Sequence, residues 1–313
     1  MSGEPGDPPA RSLLLTLSGR EICVHEWGPP ESSDVVFFWH GAEYHSGLSL
    51  SEVASVLATR GIRTIAVDAP GYGRSPAGTD ADPRALAQLA DDVVTARSAS
   101  PALFVGHSWG AHVACWAGAD APRTWRALVL LDGGFFDFAD LFARVLGADN
   151  RVALAAIHER FADASFDDWP SYFAHLRHGL LRWTDAQEWM YRAAAREGVN
   201  GRIRPIVSGA TSAAIAAGVV QRPTSQSWAA IAAAGLPVHL LLSTEPPEAA
   251  TRRQEKFVDA FARALPDANI VRVAGSSHEI VDDAASVVTE RLLAALAASA
   301  SPPAAHHHRP EDV

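Results

Sequence analysis

The chain is poor in lysine. Of its 26 basic residues only Lys256 is a lysine, and the formal net charge is −10. No basic run is long enough to neutralise several neighbouring phosphates, as a nucleic-acid-binding surface must. Hydrophobic residues make up 48% and charged residues 20%, which is ordinary for a globular enzyme. The composition therefore argues against a nucleic-acid partner.

Cysteine and long apolar runs are also scarce. The two cysteines, Cys23 and Cys115, lack the number and spacing of a disulfide framework or a metal site, and we expect both in the core. The sequence contains no run of about 18 apolar residues, the length that could span a membrane. The opening residues MSGEPGDPPA lack the basic start and apolar stretch of a signal peptide. We expect a cytoplasmic protein that does not bind membranes.

Short apolar runs ending in Gly, Pro or Asp alternate with helical stretches along most of the chain. The runs are continuous, which is typical of strands covered on both faces. With helices between them, they predict an α/β fold with a mostly parallel, doubly wound sheet. The segment 13–28, which turns at Ser18-Gly19, predicts an N-terminal hairpin at the sheet edge. Further strands are predicted within 34–41, 62–73, 102–108, 127–134, 237–244 and 269–275.

The stretch 135–233 lacks a recognisable strand. It contains Trp169, Trp183, Trp189 and Trp228 among Ala-rich helical segments, and about 100 residues are too many for a simple crossover. We predict a helical cap inserted between two late strands. The predicted organisation is a disordered tail over 1–12, a core over 13–134 and 234–297, the cap over 135–233, and a disordered tail over 298–313.

The segment GHSWG (106–110) lies where a predicted strand meets a predicted helix. A serine between two glycines at such a point is typical of a nucleophile on a sharp turn, because a Cβ at either glycine would crowd the neighbouring backbone. The residues that follow are small, as in a helix packed closely on a sheet. This context makes Ser108 the candidate nucleophile.

Three other predicted strands end in matching chemistry. The segment 40–42 (HGA) follows VVFFW, Asp132 follows ALVLL, and His278 follows IVRVAGSS. Functional groups gather at the carboxyl ends of strands in an open parallel sheet. A serine hydroxyl needs a base to take its proton, and the base needs an acid that fixes its tautomer. The order Ser108, Asp132, His278 fits nucleophile, acid and base.

Four segments carry a resemblance to a known family: WHGA (39–42), DAPGYGRS (68–75), GHSWGA (106–111) and GSSH (275–278). In order and spacing they resemble the motifs of the α/β-hydrolase fold superfamily, over residues 13–297. The resemblance implies an α/β-hydrolase fold with Ser108 as nucleophile and His278 as base. It further implies an oxyanion hole formed by the backbone N–H groups of Ala42 and Trp109, and no metal or other cofactor.

The acid is the position where the sequence departs from the family. Most members carry an Asp soon after the strand predicted here within 237–244, where this chain offers Glu245 and Glu248. Some members take the acid from the end of the preceding strand, where this chain has Asp132. We favour Asp132 over Glu245 and place Glu248 third.

Polar residues of the loop after the first parallel strand are candidates for substrate contacts. They are His40, Glu43, Tyr44 and His45, although His40 is better suited to brace the loop. We expect Asp68 to hold the loop 68–75 by hydrogen bonds. One or two of the cap tryptophans are expected to line an apolar pocket.

The predicted site indicates a serine hydrolase acting on a small-molecule substrate. Ser108 would attack the carbonyl of an ester, lactone or thioester of a small apolar compound and form an acyl-enzyme. A serine at this position argues against epoxide or halide chemistry, for which family members use an Asp nucleophile. The alternatives are a non-hydrolytic ligand-binding protein or cyclase, and a carbon–carbon bond hydrolase or acyltransferase with the same triad.

Overall fold

A computed structural model describes residues 8–76, 81–141, 143, 149–162, 164–245 and 248–300 of the chain. Within them the strands are β1 (Arg11–Leu17), β2 (Arg20–Trp27), β3 (Val35–Trp39), β4 (Arg63–Asp68), β5 (Ala102–His107), β6 (Trp125–Leu131), β7 (Ala195–Glu197), β8 (Ile203–Pro205), β9 (Val238–Ser243) and β10 (Asn269–Val273). The α-helices are α1 (Ser51–Thr59), α2 (Pro83–Ala96), α3 (Trp109–Asp120), α4 (Phe138–Leu141), α5 (Asn150–Ala162), α6 (Trp169–Arg177), α7 (Asp185–Arg192), α8 (Gly209–Gln221), α9 (Ser225–Ala233), α10 (Glu248–Ala264), α11 (Ile280–Asp283) and α12 (Ala285–Ala300).

One large sheet forms the centre of the molecule, with the strand order β1-β2-β4-β3-β5-β6-β9-β10. The strands from β4 to β10 in this order pair in parallel. The hairpin of β1 and β2 adds two antiparallel pairings at one edge, and it turns at Ser18 and Gly19, both of which have positive φ. The predicted mostly parallel sheet and the predicted hairpin are confirmed.

Apolar side chains cover the sheet on both faces, which explains the continuous apolar runs. Helices α2, α3 and α10 contribute to the core on one face, with Val93, Trp116 and Phe261 buried there. Helices α1, α11 and α12 contribute to the core on the other face. Cys23 and Cys115 are buried and unbonded, as predicted. The central strand β5 is buried along its whole length, so its carboxyl end is held firmly beneath the site.

Between β6 and β9 the chain leaves the sheet and forms helices α4 to α9. It also contains a short antiparallel hairpin of β7 and β8, which the sequence analysis did not predict. Each of these strands has three residues, too few to show a recognisable apolar run. The division of the chain into a core and a cap over 135–233 remains a prediction.

The predicted disordered tails, 1–12 and 298–313, overlap regular secondary structure, so their inner boundaries are wrong. Strand β1 begins at Arg11, and the Arg11 guanidinium donates from Nε to Glu26 Oε2 across the hairpin at 2.7 Å. Helix α12 continues to Ala300. The outer parts of the predicted tails, 1–7 and 301–313, lie outside the described residues. No helix in the described part of the chain is long and apolar enough to cross a membrane.

Candidate active site

Ser108 lies on a sharp turn between β5 and α3. Its φ of 52° falls in the left-handed region that residues other than glycine rarely adopt, and its N–H donates to the Leu131 carbonyl at 2.8 Å. A Cβ at Gly106 would come within 2.3 Å of the Gly110 carbonyl oxygen, and a Cβ at Gly110 within 2.1 Å of the Trp39 carbonyl oxygen. Both glycines are therefore required by the close approach of the backbone.

Three side chains from separate strand ends meet in a line of hydrogen bonds. The Ser108 hydroxyl lies 2.8 Å from His278 Nε2, and His278 Nδ1 lies 2.7 Å from Asp132 Oδ2. With Nδ1–H donated to the carboxylate, Nε2 presents its lone pair to the serine hydroxyl. The structure thus brings together the serine, histidine and aspartate that the sequence analysis singled out.

Asp132 is buried and held in place from the neighbouring strand. The Ser243 N–H donates to Asp132 Oδ1 and the Ser243 hydroxyl to Oδ2, each at 3.0 Å. Burial alone raises the pKa of this carboxyl group, but the hydrogen bond and positive charge of His278, with the bonds from Ser243, lower the pKa below its ordinary value. Asp132 is therefore a carboxylate at neutral pH. The sequence analysis missed Ser243, although it ends β9, the strand beside β6.

The alternative acids lie elsewhere. Glu245 is exposed, and its backbone N–H donates to the Ser276 carbonyl at 3.0 Å. Within the described part of the chain, no hydrogen bond joins the Glu245 side chain to His278. The side chain of Glu248 lies outside the described residues, as do residues 246–247.

The electrostatic environment of His278 favours the protonated ring. Burial lowers its pKa, but the hydrogen bond and negative charge of Asp132, assisted by Glu279 and Glu43, outweigh this effect and raise the pKa to about 9. The side chain is still 53% exposed, so the edge of the ring that faces Ser108 is accessible from the cavity. The neutral ring, which predominates above this pKa, accepts a proton from serine more readily for having a raised pKa.

Two backbone N–H groups are candidates for an oxyanion hole, those of Ala42 and Trp109. Both residues line the cavity at Ser108. Trp109 is the first residue of α3, and the first N–H groups of a helix lack an acceptor within it and lie at the positive end of its dipole. A Cβ at Gly41 would come within 3.3 Å of Ser108 Cβ, so the loop passes close to the nucleophile. This arrangement can stabilise negative charge beside Ser108.

His40 lies behind this loop and not in the cavity. Its ring is fully buried, Nδ1–H donates to the Gly41 carbonyl at 2.6 Å, and Nε2 accepts from the Ala69 N–H at 3.0 Å. Burial lowers its pKa to about 4, so the ring is neutral. The structure therefore assigns His40 the bracing position and not the predicted contact with substrate.

Asp68 holds the neighbouring loop, as predicted. Its carboxylate accepts from the N–H groups of Gly47 and Arg74, each at 2.8 Å. Its Oδ2 also lies 3.1 Å from His25 Nε2. The contacts with Gly47 and His25 are buried and the contact with Arg74 is partly buried, so Asp68 acts through loop geometry.

The other three loop residues differ in their access to Ser108. Glu43 and His45 line the cavity that contains Ser108, whereas Tyr44 lines a neighbouring cavity. Glu43 pairs with Arg160 of α5 at 3.2 Å. The Tyr44 ring packs edge-on against Tyr172. Glu43 and His45 are thus the predicted contacts that can reach a substrate at Ser108.

Two residues, His107 and Glu279, lie beside the line of Ser108, His278 and Asp132. His107 is buried, and its Nε2–H donates to the His278 carbonyl at 2.9 Å. Glu279 lies 3.1 Å from His45 Nε2. Burial alone raises the pKa of Glu279, but the charges and hydrogen bonds of the histidines hold it well below the ordinary value. The sequence analysis missed Glu279, and its position directly after His278 was the available signal.

The comparisons with known proteins agree with this geometry. Residues 30–285 match the family described as serine aminopeptidase, S33. The chain belongs to this family of α/β-hydrolases. A serine hydrolase-like protein of Dictyostelium discoideum is 32% identical over 123 residues, which span 37% of this chain and 33% of that relative. The matched part thus covers about a third of the relative's length.

Solved structures share the fold of this α/β-hydrolase. The thioesterase domain from the curacin biosynthetic pathway is 22% identical (TM-score 0.72; 90% of this chain and 99% of that chain covered). E-2-(acetamidomethylene)succinate hydrolase is 21% identical (TM-score 0.71; 92% and 99%), and a putative aryl esterase from Burkholderia cenocepacia 19% (TM-score 0.66; 93% and 100%). At these identities the likeness shows the fold. The assignment to a family of α/β-hydrolases rests on the match over residues 30–285.

In this α/β-hydrolase, Ser108 opens onto a cavity of about 320 Å³. One or two of Trp169, Trp183, Trp189 and Trp228 were predicted to line its wall, but none is among its described lining residues. Trp228, for example, packs against Phe261 and donates from Nε1 to the Gly134 carbonyl. The apolar wall is formed instead by smaller side chains of the 135–233 segment, namely Phe136, Phe138, Leu141, Ile157, Ile215 and Val219.

Two groups of side chains in the described part of this α/β-hydrolase have the spacing of metal ligands. They are Cys23, His25 and Asp68, and His45, His107 and Glu279. Each group is already joined internally, by the 3.1 Å contact of His25 with Asp68 and the 3.1 Å contact of His45 with Glu279. Neither group includes a member of the serine–histidine–aspartate line, which can carry out its chemistry without a metal.

Proposed function

We propose that this α/β-hydrolase is a serine hydrolase that cleaves an ester, lactone or thioester of a small apolar acyl group through an acyl-enzyme. One observation carries the proposal. The Ser108 hydroxyl lies 2.8 Å from His278 Nε2, and His278 Nδ1 lies 2.7 Å from Asp132 Oδ2. This is the geometry that a nucleophile, a general base and an orienting acid require.

In the first half-reaction, Ser108 Oγ attacks the substrate carbonyl carbon while His278 Nε2 takes the hydroxyl proton. The carbonyl oxygen becomes an oxyanion, stabilised by the N–H groups of Ala42 and Trp109. The bond to the leaving group then breaks, and His278 returns the proton to it. Asp132 stabilises the transient imidazolium and keeps its tautomer fixed. The product of this half-reaction is an ester of Ser108.

In the second half-reaction, water replaces the leaving group. His278 takes a proton from the water as it attacks the acyl-enzyme carbonyl, and the same N–H groups stabilise the second oxyanion. The bond to Ser108 Oγ breaks, and the proton returns to the serine. Free acid and free enzyme result, with atoms and charges balanced.

The cavity supports a small apolar acyl group. Its volume of about 320 Å³ is at the lower end of the range for small-molecule sites. Phe136, Phe138 and Ile215 lie on its wall, and such side chains gain free energy by removing apolar substrate surface from water. A nucleophile that ends in a hydroxyl also favours acyl transfer over the epoxide or halide chemistry of members with an Asp nucleophile.

The test combines labelling with turnover. A fluorophosphonate probe should label the wild-type enzyme at Ser108, and Ser108→Ala should abolish the label and lower kcat toward p-nitrophenyl butyrate by about 10⁴-fold to 10⁶-fold. Ser33→Ala, at an exposed serine, is the matched control and should behave as wild type. An unlabelled wild-type protein, or a tenth of wild-type turnover in Ser108→Ala, would instead favour a ligand-binding protein or cyclase.

A further inference from the structure

A second cavity adjoins the one at Ser108. It measures about 260 Å³ and shares Glu43, His45, Arg160 and Glu279 with the first. Its other walls include Tyr44, His175 and His178 beside Leu176 and Leu180. Tyr191 also lines it, with its hydroxyl donating to Asp282 Oδ2 at 2.7 Å. The site thus has an apolar compartment at the nucleophile and a compartment rich in hydrogen-bonding groups beside it.

An ion pair stands where the two compartments meet. Arg160 Nη1 lies 3.2 Å from Glu43 Oε1, and the two side chains are 58% and 42% exposed. Glu43 belongs to the loop that supplies the Ala42 N–H, whereas Arg160 belongs to helix α5. Any substrate that fills both compartments must pass this pair.

The position of His278 decides which end of the substrate enters the second compartment. His278 must deliver its proton to the leaving group, so the leaving group lies on the histidine side of the attacked carbonyl. Glu279, the residue after His278, lines both compartments. Because His278 lines the first compartment and Glu279 lines both, a leaving group at His278 can extend past Glu279 into the second compartment while the acyl group contacts the apolar wall.

The charges around the second compartment are paired with one another. Glu43 faces Arg160, and Glu279 faces His45 at 3.1 Å. An ionic leaving group would have to compete with a partner already present, and separating a partly exposed ion pair or facing a like charge costs free energy. A neutral hydroxyl group instead can donate to the carboxylate oxygens and accept from the guanidinium N–H groups without breaking either pair.

We propose that the second compartment is a leaving-group subsite for an uncharged polyhydroxylated alcohol of sugar type, and that the Glu43–Arg160 pair rejects charged leaving groups. This proposal rests on the proposed function, because it presupposes acyl transfer at Ser108. It assigns specificity-determining roles to Glu43 and Arg160 and places neither in the proton transfers.

Three butyryl esters that differ in the charge of the leaving group test the proposal. They are the esters of glucose, of glucosamine as its ammonium form, and of glucuronate, compared at neutral pH in full-length protein. The wild-type enzyme should show a kcat/KM for the glucose ester about fivefold to tenfold above the other two, since a partly exposed charge discriminates by about this much. Equal kcat/KM values for all three esters would overturn the proposal.

Two charge-removing variants make the test specific. Glu43→Gln removes the anion that faces Arg160, so the kcat/KM for the glucuronate ester should rise relative to that for the glucose ester. Arg160→Gln removes the cation that faces Glu43, so the kcat/KM for the glucosamine ester should rise instead. The matched controls are Glu188→Gln and Arg192→Gln, a pair in α7 with its charged atoms 3.5 Å apart and similar exposure (37% and 45%), which should preserve the wild-type ranking.

The outcomes separate this proposal from the proposed function. The subsite assignment is wrong if the charge-removing variants leave the relative kcat/KM values of the three esters unchanged. It is also wrong if they change these values no more than the controls do. Probe labelling of Ser108 and turnover of p-nitrophenyl butyrate would then still support the serine hydrolase. If the wild-type protein is not labelled and shows no turnover, both proposals are wrong.

Discussion

At the residue scale, the candidate acid reaches His278 from the end of β6, and the neighbouring strand supplies its support. Ser243, at the end of β9, donates two hydrogen bonds to Asp132. The strand that carries the acid in most family members thus contributes here to holding it. This arrangement explains how the chain forms the hydrogen-bonded line with no Asp soon after β9.

Replacing the acid with its amide tests this arrangement. We expect Asp132→Asn to lower kcat by about 10³-fold to 10⁴-fold, because an amide in place of the carboxylate favours the wrong tautomer of His278. Glu245→Gln, at an exposed carboxylate, should change kcat by about tenfold at most. Steady-state kinetics on both variants would contradict the account if the two losses were equal or reversed.

The raised pKa of His278 predicts where activity is lost in acid. The base must be neutral to accept a proton, so kcat/KM should fall as pH decreases through the pKa of the free enzyme's histidine. Because Asp132 raises this pKa to about 9, the acid limb should lie well above about 6.5, the ordinary histidine value. Asp132→Asn should move the limb to lower pH. A wild-type rate that stays flat below pH 6.5, or a limb that does not move in the variant, would contradict this reasoning.

Residues with a local pattern were predictable, and residues defined by distant contacts were not. Ser108 and His278 stand in short motifs whose spacing is visible along the chain. Ser243 and Arg160 acquire their places from partners 111 and 117 residues away. Hydrogen bonds across such separations leave no periodic signal in a single sequence.

At the scale of elements, the strand-to-helix turn between β5 and α3 carries Ser108, the candidate nucleophile. The parallel strands were predictable because their burial on both faces produces continuous apolar runs. The β7–β8 hairpin was not, because strands of three residues are too short to show a pattern. The tight turn was predictable from its glycines, because without a Cβ they allow the neighbouring backbone to approach closely.

A glycine substitution tests the packing of this turn. Gly106→Ala would place a Cβ 2.3 Å from the Gly110 carbonyl oxygen, and relieving such overpacking costs about 3 kcal/mol. We expect a Tm lowered by several degrees together with a loss of turnover. Gly179→Ala is the stability control, because its nearest contact is 3.7 Å away. An unchanged Tm in Gly106→Ala would contradict the described turn.

At the scale of the whole molecule, the segment between β6 and β9 and the sheet together enclose the site. The sequence predicted that 135–233 would face Ser108 but not which side chains would do so. Large aromatics were the visible signal, yet none of the four tryptophans of this segment is among the described lining residues, and smaller residues such as Ile215 and Val219 line the cavity. A pocket wall depends on the packing of several helices, which residue counts do not convey.

The cavity volume predicts the acyl-chain preference. We expect p-nitrophenyl esters of about four to six carbons to give the highest kcat/KM, because a cavity near the lower limit of ligand sites cannot enclose a long chain. Ile215→Trp should fill the cavity and shift the preference to acetate. Val199→Trp, at a fully exposed position, is the control. A preference for dodecanoate in the wild-type enzyme would contradict the assignment of this cavity to the acyl group.

The central claim, an acyl-enzyme on Ser108, is tested most directly by product partitioning. Butyrate esters with different leaving groups (p-nitrophenol, phenol and thiophenol) would be hydrolysed in water containing a fixed concentration of methanol. If all three pass through the same acyl-enzyme, the ratio of methyl butyrate to butyrate is identical, because the leaving group has departed before the acceptor attacks. A ratio that changes with the leaving group would contradict a common acyl-enzyme and with it the proposed mechanism.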